Sequence, residues 1–279
     1  MRPGSVRTLG VRPAVQAGRF YPAAPETLRR QVAQFLADAR PPAVPAPKAF
    51  ILPHAGYPYS GPVAGTGYSL LARERGRIRR VILLGPAHYV PVNGMAVSGM
   101  QAFDSPLGRV RLDEDSRCRV LTVPGVEVND DAHAPEHSLE VHLPFLQVAL
   151  DDFVLVPILV GRARVEEVME VLEALGNGPE TCTIVSSDLS HFHDHPTASA
   201  LDAATAERIV GLDGDDLTGE DACGCRAIRG LLWLAREHGM ACTLLDLRNS
   251  GDTAGDRRRV VGYGAFAFHE EATRGVAAG

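Results

Sequence analysis

Four short apolar runs constrain this chain more than any other feature: AFILP (49–53), RVILLGP (80–86), FVLVPILVG (153–161) and CTIVSSD (182–188). Each is rich in β-branched residues and lacks polar alternation, so neither of its faces is built to meet water. That is the pattern of a central strand in a sheet covered on both sides. Helical stretches lie between several of them. Residues 25–39, 163–176, 199–211 and 226–238 carry apolar residues at three- and four-residue spacing, and 163–176 stops at a glycine. Strands alternating with helices predict an α/β protein, three-layer α/β/α with a largely parallel central sheet. VVGYGAFAF (260–268) reads as a terminal strand entered through the turn NSGDTAGD (249–256).

The segments show no internal repeat and no dividing linker, so a single domain is expected over residues 17–279. Residues 1–16 read as a loose N-terminal leader without the apolar stretch of a signal peptide. The formal net charge of -6 argues against a nucleic-acid partner. No apolar run reaches the ~18 residues of a membrane helix. Five scattered cysteines, an odd number, argue against a disulfide framework and for a reducing, cytoplasmic setting.

In open α/β sheets, ligands bind beyond the carboxyl ends of the strands. His54 follows AFILP, His88 follows VILLGP, and His191 follows TIVSSD within SSDLSHFHDH. Imidazoles delivered to one sheet edge suit a divalent metal, the third ligand being a later cysteine or acid. A hydrogen-bonded loop histidine is the plainer account of any one of them alone. Asp188 and His191 stand three residues apart, either as a general base with its orienting acid or as support for a metal ligand. His193 and His195 follow with Asp194 and Pro196, a turn signal, and are expected to be solvated. In EHSLEVH (136–142), Glu136, His137 and Glu140 would share a helical face, either as a charged helix start capped by Glu136 or Ser138, or as part of a substrate pocket. In CGC (223–225), ahead of a helix, Cys223 is either a metal ligand with a lowered pKa, the most reactive of the five thiols, or a quiet apolar residue. Cys118, Cys182 and Cys242 read as inert residues of apolar runs, and Tyr263 as a sheet tyrosine.

Taken together, AGRFYP, LPHAGYPYSG, LLGPAHYVP, EHSLEVHLPFLQ, VPILVG, SSDLSHF, ACGCRAI and SGDTAGDRRRVVGYGAFAF resemble, in order and over residues 17–268, the Memo family, whose bacterial and archaeal members are called AmmeMemoRadiSam system protein B. The resemblance implies a fold similar to class III non-haem iron extradiol dioxygenases. It implies metal ligands at His54, His88 and Cys223, with Cys223 where the dioxygenases use a carboxylate. It places Asp188, His191 and His142 at catalytic positions, His142 touching substrate or oxygen. The metal it implies is Fe(II), with copper or zinc as alternatives. The expected function is a non-haem metal-dependent, dioxygenase-like oxidoreductase acting on a small or aromatic substrate. The alternatives are a scaffold that binds a peptide in the same pocket and a metallohydrolase. The family name implies a pathway link to an AMMECR1-like protein and a radical SAM protein.

Overall fold

The four apolar runs are the four middle strands of one large sheet. The computed structural model describes residues 10–176 and 178–270. In chain order the strands are β1 (Val11–Arg12), β2 (Ala49–Leu52), β3 (Arg80–Pro86), β4 (Met95–Val97), β5 (Ala102–Ser105), β6 (Gly108–Arg111), β7 (Val126–Val128), β8 (Val154–Val160), β9 (Thr181–Ser186), β10 (His191–His193), β11 (Met240–Asn249) and β12 (Val260–Glu270). The helices are α1 (Pro25–Asp38), α2 (Tyr57–Leu71), α3 (Glu114–Val120), α4 (Asp130–His133), α5 (Leu143–Ala149), α6 (Val165–Leu175), α7 (His195–Val210), α8 (Cys225–Glu237) and α9 (Ser250–Thr253), with a 3-10 turn at Glu140–His142.

The large sheet runs β10-β12-β2-β9-β3-β8-β4-β7, with β11 paired to β12. Its centre, β2-β9-β3-β8, is parallel. Antiparallel pairs flank that centre on both sides, β12 on β2 and β4 on β8. The absence of polar alternation in the central strands has a direct cause. Phe50, Leu52, Val81, Leu83 and Ile184 pack under α1, α2 and α5. Ala49, Ile51, Ile82, Leu84 and Val185 pack under α6, α7 and α8. Both faces are dry, which is the three-layer arrangement the sequence predicts. Helix α6 ends at Gly176, whose φ of 70° is a conformation other residues adopt only with strain. No described helix is long and apolar enough to cross a membrane.

Two boundaries differ from expectation. Helix α7 starts at His195, four residues early, because Asp194 accepts the Thr197 N–H as its cap and Pro196 fits the first turn. The stretch read as a turn is a helix start, and His195 Nε2 lies 2.6 Å from Asp252 Oδ1 instead of in water.

The leader expected over 1–16 does not extend to residues 11–16. Val11 and Arg12 pair in parallel with β5. The Arg12 guanidinium is buried, donating to Glu140 Oε2 at 2.7 Å, to the His133 carbonyl at 2.7 Å and to the Glu136 carbonyl at 2.8 Å. Glu140 also accepts from Gln16 N at 2.7 Å and Tyr21 Oη at 2.5 Å. A buried carboxylate needs such a set of partners. Residues 1–9 lie outside the described residues.

Candidate metal centre

Strands β2, β9 and β3 are neighbours and end level with one another. His54, Asp188 and His88 each stand two residues beyond one of these ends, so three polar groups converge above the same sheet edge. Cys223 comes from the loop ahead of α8. The Asp188 N–H points at its Sγ over 3.3 Å, and the Gly224 N–H donates to Ser187 Oγ at 2.9 Å. A Cβ at Gly224 would lie 2.8 Å from the Ser186 carbonyl, so only glycine lets this loop close on the end of β9.

His54 Nε2 lies 3.4 Å from Cys223 Sγ. Ligand atoms of His54, His88 and Cys223 all fall within 4.8 Å of one another. A tetrahedral ion at about 2.0–2.1 Å from nitrogen and about 2.3 Å from sulfur needs donors roughly 3.3–3.6 Å apart, so small side-chain movements close the set on a metal. Two imidazoles and a thiol are donors that zinc, iron and copper accept.

Hydrogen bonds behind the two histidines settle which nitrogens face the centre. Ser186 Oγ is 2.7 Å from the Ser138 carbonyl, which can only accept, so the single hydroxyl proton goes there. Its lone pairs then accept from His54 Nδ1 at 2.6 Å and His142 Nε2 at 2.8 Å. Tyr68 Oη completes the chain by donating to His142 Nδ1 at 2.8 Å. His88 Nδ1 lies 2.9 Å from Glu136 Oε1, which also can only accept. Each histidine therefore donates from Nδ1, which leaves Nε2 as the nitrogen free to act as a ligand. Burial, followed by the neighbouring imidazoles, lowers the His54 pKa well below the usual value.

Glu136 stands behind His88 and His137 and touches both. Burial would raise its carboxyl, but hydrogen bonds from His137 and His88 and the Ser138 N–H hold it well below the usual carboxylate range. The backbone N–H groups of His88, His137 and Ser138 donate to it at 2.6–3.0 Å. His137 stacks on His88 with ring centroids 4.6 Å apart and sits 5.4 Å from the His54 ring. Its Nδ1 is buried 3.2 Å from Glu136 Oε1, the same carboxylate oxygen that His88 uses. His88, Glu136 and His137 form an overlapping group that can also hold a cation.

Several expectations change. EHSLEVH is not one helix: only Glu140–His142 makes a 3-10 turn, so Glu136 and His137 face the centre while Glu140 faces Arg12. His142 lies behind Ser186, buried, its pKa pushed down to about 3 by burial, and it cannot touch a ligand in the pocket without displacing that serine. Asp188 does not orient His191. Its Oδ1 accepts the His54 N–H at 2.8 Å, and its Oδ2 is 4.0 Å from His54 Nε2. Burial pushes the Asp188 carboxyl up against that hydrogen bond. His191 is half-buried in β10, at the sheet edge beyond β12. The Cys223 thiol is pushed up to about 12, first by burial and then by Asp188, so the helix-start effect does not win: α8 begins two residues later. Cys118 is exposed on α3, not part of an apolar run. Tyr263 is buried in β12, where burial and Asp188 keep its hydroxyl protonated. A cavity of about 510 Å³ lies elsewhere, between α1, α2 and β11, and its Arg248 is paired with Asp246.

Sequence comparison places the chain among known relatives over most of its length. The family model for Memo-like proteins matches residues 12–267. A MEMO1 family protein of Ignicoccus hospitalis is 37% identical over 283 residues, covering 92% of this chain and 98% of the relative. One from Methanothermobacter thermautotrophicus is 33% identical over 272 residues, covering 90% and 98%. One from Pyrobaculum arsenaticum is 34% identical over 278 residues, covering 92% and 98%.

Proposed function

This chain belongs to the Memo family, and from that premise we propose that it is a metal-dependent redox enzyme, dioxygenase-like in type, acting on a small or aromatic substrate. The observation that carries the reading is the convergence of two imidazoles, each held through a hydrogen bond at its Nδ1, with one thiol sulfur. An arrangement whose only task was packing would have no need to fix both tautomers. Fe(II) is the metal proposed first, with copper and zinc as alternatives, because imidazole and thiolate ligands suit all three. When bound, such an ion supplies Lewis acidity and, if iron or copper, one-electron exchange.

The chain's own residues then have separable tasks. His54, His88 and Cys223 hold the ion, and Cys223 releases its proton to do so. Ser186 and Glu136 aim the two imidazoles. Asp188 fixes the backbone at His54 and brings a carboxylate to the edge of the centre. His137, whose ring lies against those of His54 and His88, is better placed than His191 to exchange a proton with substrate.

Two measurements test the reading. Protein purified without chelators is assayed for metal, and the metal-free form is titrated anaerobically with Fe(II), Cu(I) and Zn(II) beside His54→Ala. Wild type should retain about one ion per chain and bind it far more tightly than the variant. Equal affinity in both would remove the centre. Tight metal binding with no oxygen uptake in the presence of candidate aromatics would remove the dioxygenase part alone.

A further inference from the structure

Beside the metal centre is a pocket of about 280 Å³, lined among others by His88, Tyr89, Val92, Val160, Arg162 and Arg226. A smaller crevice shares Val160 and Arg226 with it and reaches Cys223 and Gly224. The two guanidinium groups, the His88 ring and the loop of the proposed ligand sulfur therefore lie around adjoining depressions of one face. In a chain of net charge -6, several surface arginines are paired with carboxylates, for example Arg75, Arg109, Arg111, Arg208 and Arg236. Among the described residues, neither Arg162 nor Arg226 has a carboxylate partner. Arg226 also stands in the first turn of the 13-residue helix α8, whose amino end adds positive potential to the same mouth. The opposite wall is apolar and aromatic: Val92, Val160 and the half-exposed ring of Tyr89.

We infer that the substrate is a small organic anion whose carboxylate or phosphate group is bound by Arg162 and Arg226, with its apolar body lying between Tyr89 and Val160 and directed toward His88. This rests on the metal-centre reading for its chemistry but not for its binding. Guanidinium forks match both oxyanions geometrically. At about 30 Å³ per water, the pocket has room for on the order of nine water-sized groups, the scale of a single-ring acid.

Benzoate, phenyl phosphate, inorganic phosphate and the neutral benzamide are titrated calorimetrically into metal-free protein and into Zn(II)-loaded protein. The variants are Arg162→Gln, Arg226→Gln and their double, with Arg109→Gln as a remote control and metal affinity measured on every sample. Benzoate or phenyl phosphate should bind at least tenfold more tightly than benzamide, and each arginine removed should weaken it about tenfold. The control should match wild type, and metal affinity should stay constant throughout. A preference for phenyl phosphate over benzoate would identify the anionic group as phosphate, and the reverse as carboxylate. Benzamide binding as tightly as benzoate, anion affinity unchanged in the double variant, or no aromatic anion bound at millimolar concentration would each overturn the inference. Anion binding by wild-type protein that takes up none of Fe(II), Cu(I) and Zn(II) when titrated with them would overturn the metal-centre reading and leave this one standing.

Discussion

Replacing Ser186 by alanine removes one oxygen atom from the interior and strands three partners at once. His54 Nδ1, His142 Nε2 and the Ser138 carbonyl sit 2.6, 2.8 and 2.7 Å from that oxygen, and the serine is fully buried. Each buried polar group left without a partner costs about 1–3 kcal/mol. The full sum is not reached, because an imidazole can move its proton to the other nitrogen. For His54 that shift places the proton on Nε2, facing Cys223, where a metal ligand must have none. The perturbation therefore divides between stability and metal affinity. We expect metal-free Ser186→Ala to lose about 2–5 kcal/mol in urea unfolding. We expect its affinity for Zn(II), measured by competition with a chromophoric chelator, to fall about 10- to 100-fold. Ser186→Thr keeps a hydroxyl and should recover most of the affinity. A Ser186→Ala protein with metal affinity within about twofold of wild type and less than about 1 kcal/mol of lost stability would refute the tautomer argument.

Arg12→Met leaves Glu140 as a buried, uncompensated charge and should cost about 3–5 kcal/mol in urea unfolding; a loss below about 1 kcal/mol would show that Tyr21 and the backbone N–H groups suffice on their own. His133 is buried with Nε2 on the Ala96 carbonyl, and burial pushes its pKa down to about 4. Between pH ~6.5 and pH ~4 the unfolded chain binds a proton that the folded chain does not, so stability falls as pH drops, by up to about 3 kcal/mol, and His133→Asn should flatten that slope. An unchanged slope in the variant would assign the acid sensitivity to other groups. In native metal-free protein, alkylation read by mass spectrometry should label Cys118 first, because it is the exposed thiol, and Cys223 at least tenfold more slowly. Cys223 labelling as fast as Cys118 would mean that the loop before α8 opens freely.

The parts of this site visible in the sequence are those that depend on strand ends. Parallel central strands appear as uninterrupted apolar runs, so the one or two residues just past each run are marked, and His54 and His88 stand there. Cys223 was readable as a ligand through its chemistry, but not its pKa, since burial by Ser187 and Asp188 is a tertiary effect that outweighs the nearby helix start. His142 was misplaced because strand direction says nothing about depth: a serine side chain in β9 stands between it and the pocket. The Asp188–His191 pair failed for a geometric reason. Three-residue spacing brings side chains together on a helix, whereas here the chain runs extended across the sheet edge from β9 toward β10, and Asp188 turns back to the His54 amide. Glu136 and His137 were seen, with a pocket role left open, because their spacing fits a helix that does not form.

The grip of Arg12 on the segment 133–140 also bears on the order in which the molecule assembles. The contacts Arg12 makes there join residues 121 to 128 positions apart in the chain. Closing a loop of that length carries a chain-entropy cost that grows with the logarithm of its length, and only contacts already formed can offset it. The parallel centre of the sheet needs none of residues 10–16, so it can form first, with the loop bearing Glu136 still unanchored. His88 then gains its aim only when β1 docks. Val11 pairs with Ala102 and Arg12 with Glu140, so β1 gains its partners only once distant parts of the chain are in place. Proteolytic removal of residues 1–16 should accordingly leave the sheet's far-ultraviolet circular dichroism in place while loosening His88, a separation of fold from site that no single substitution inside the pocket would produce.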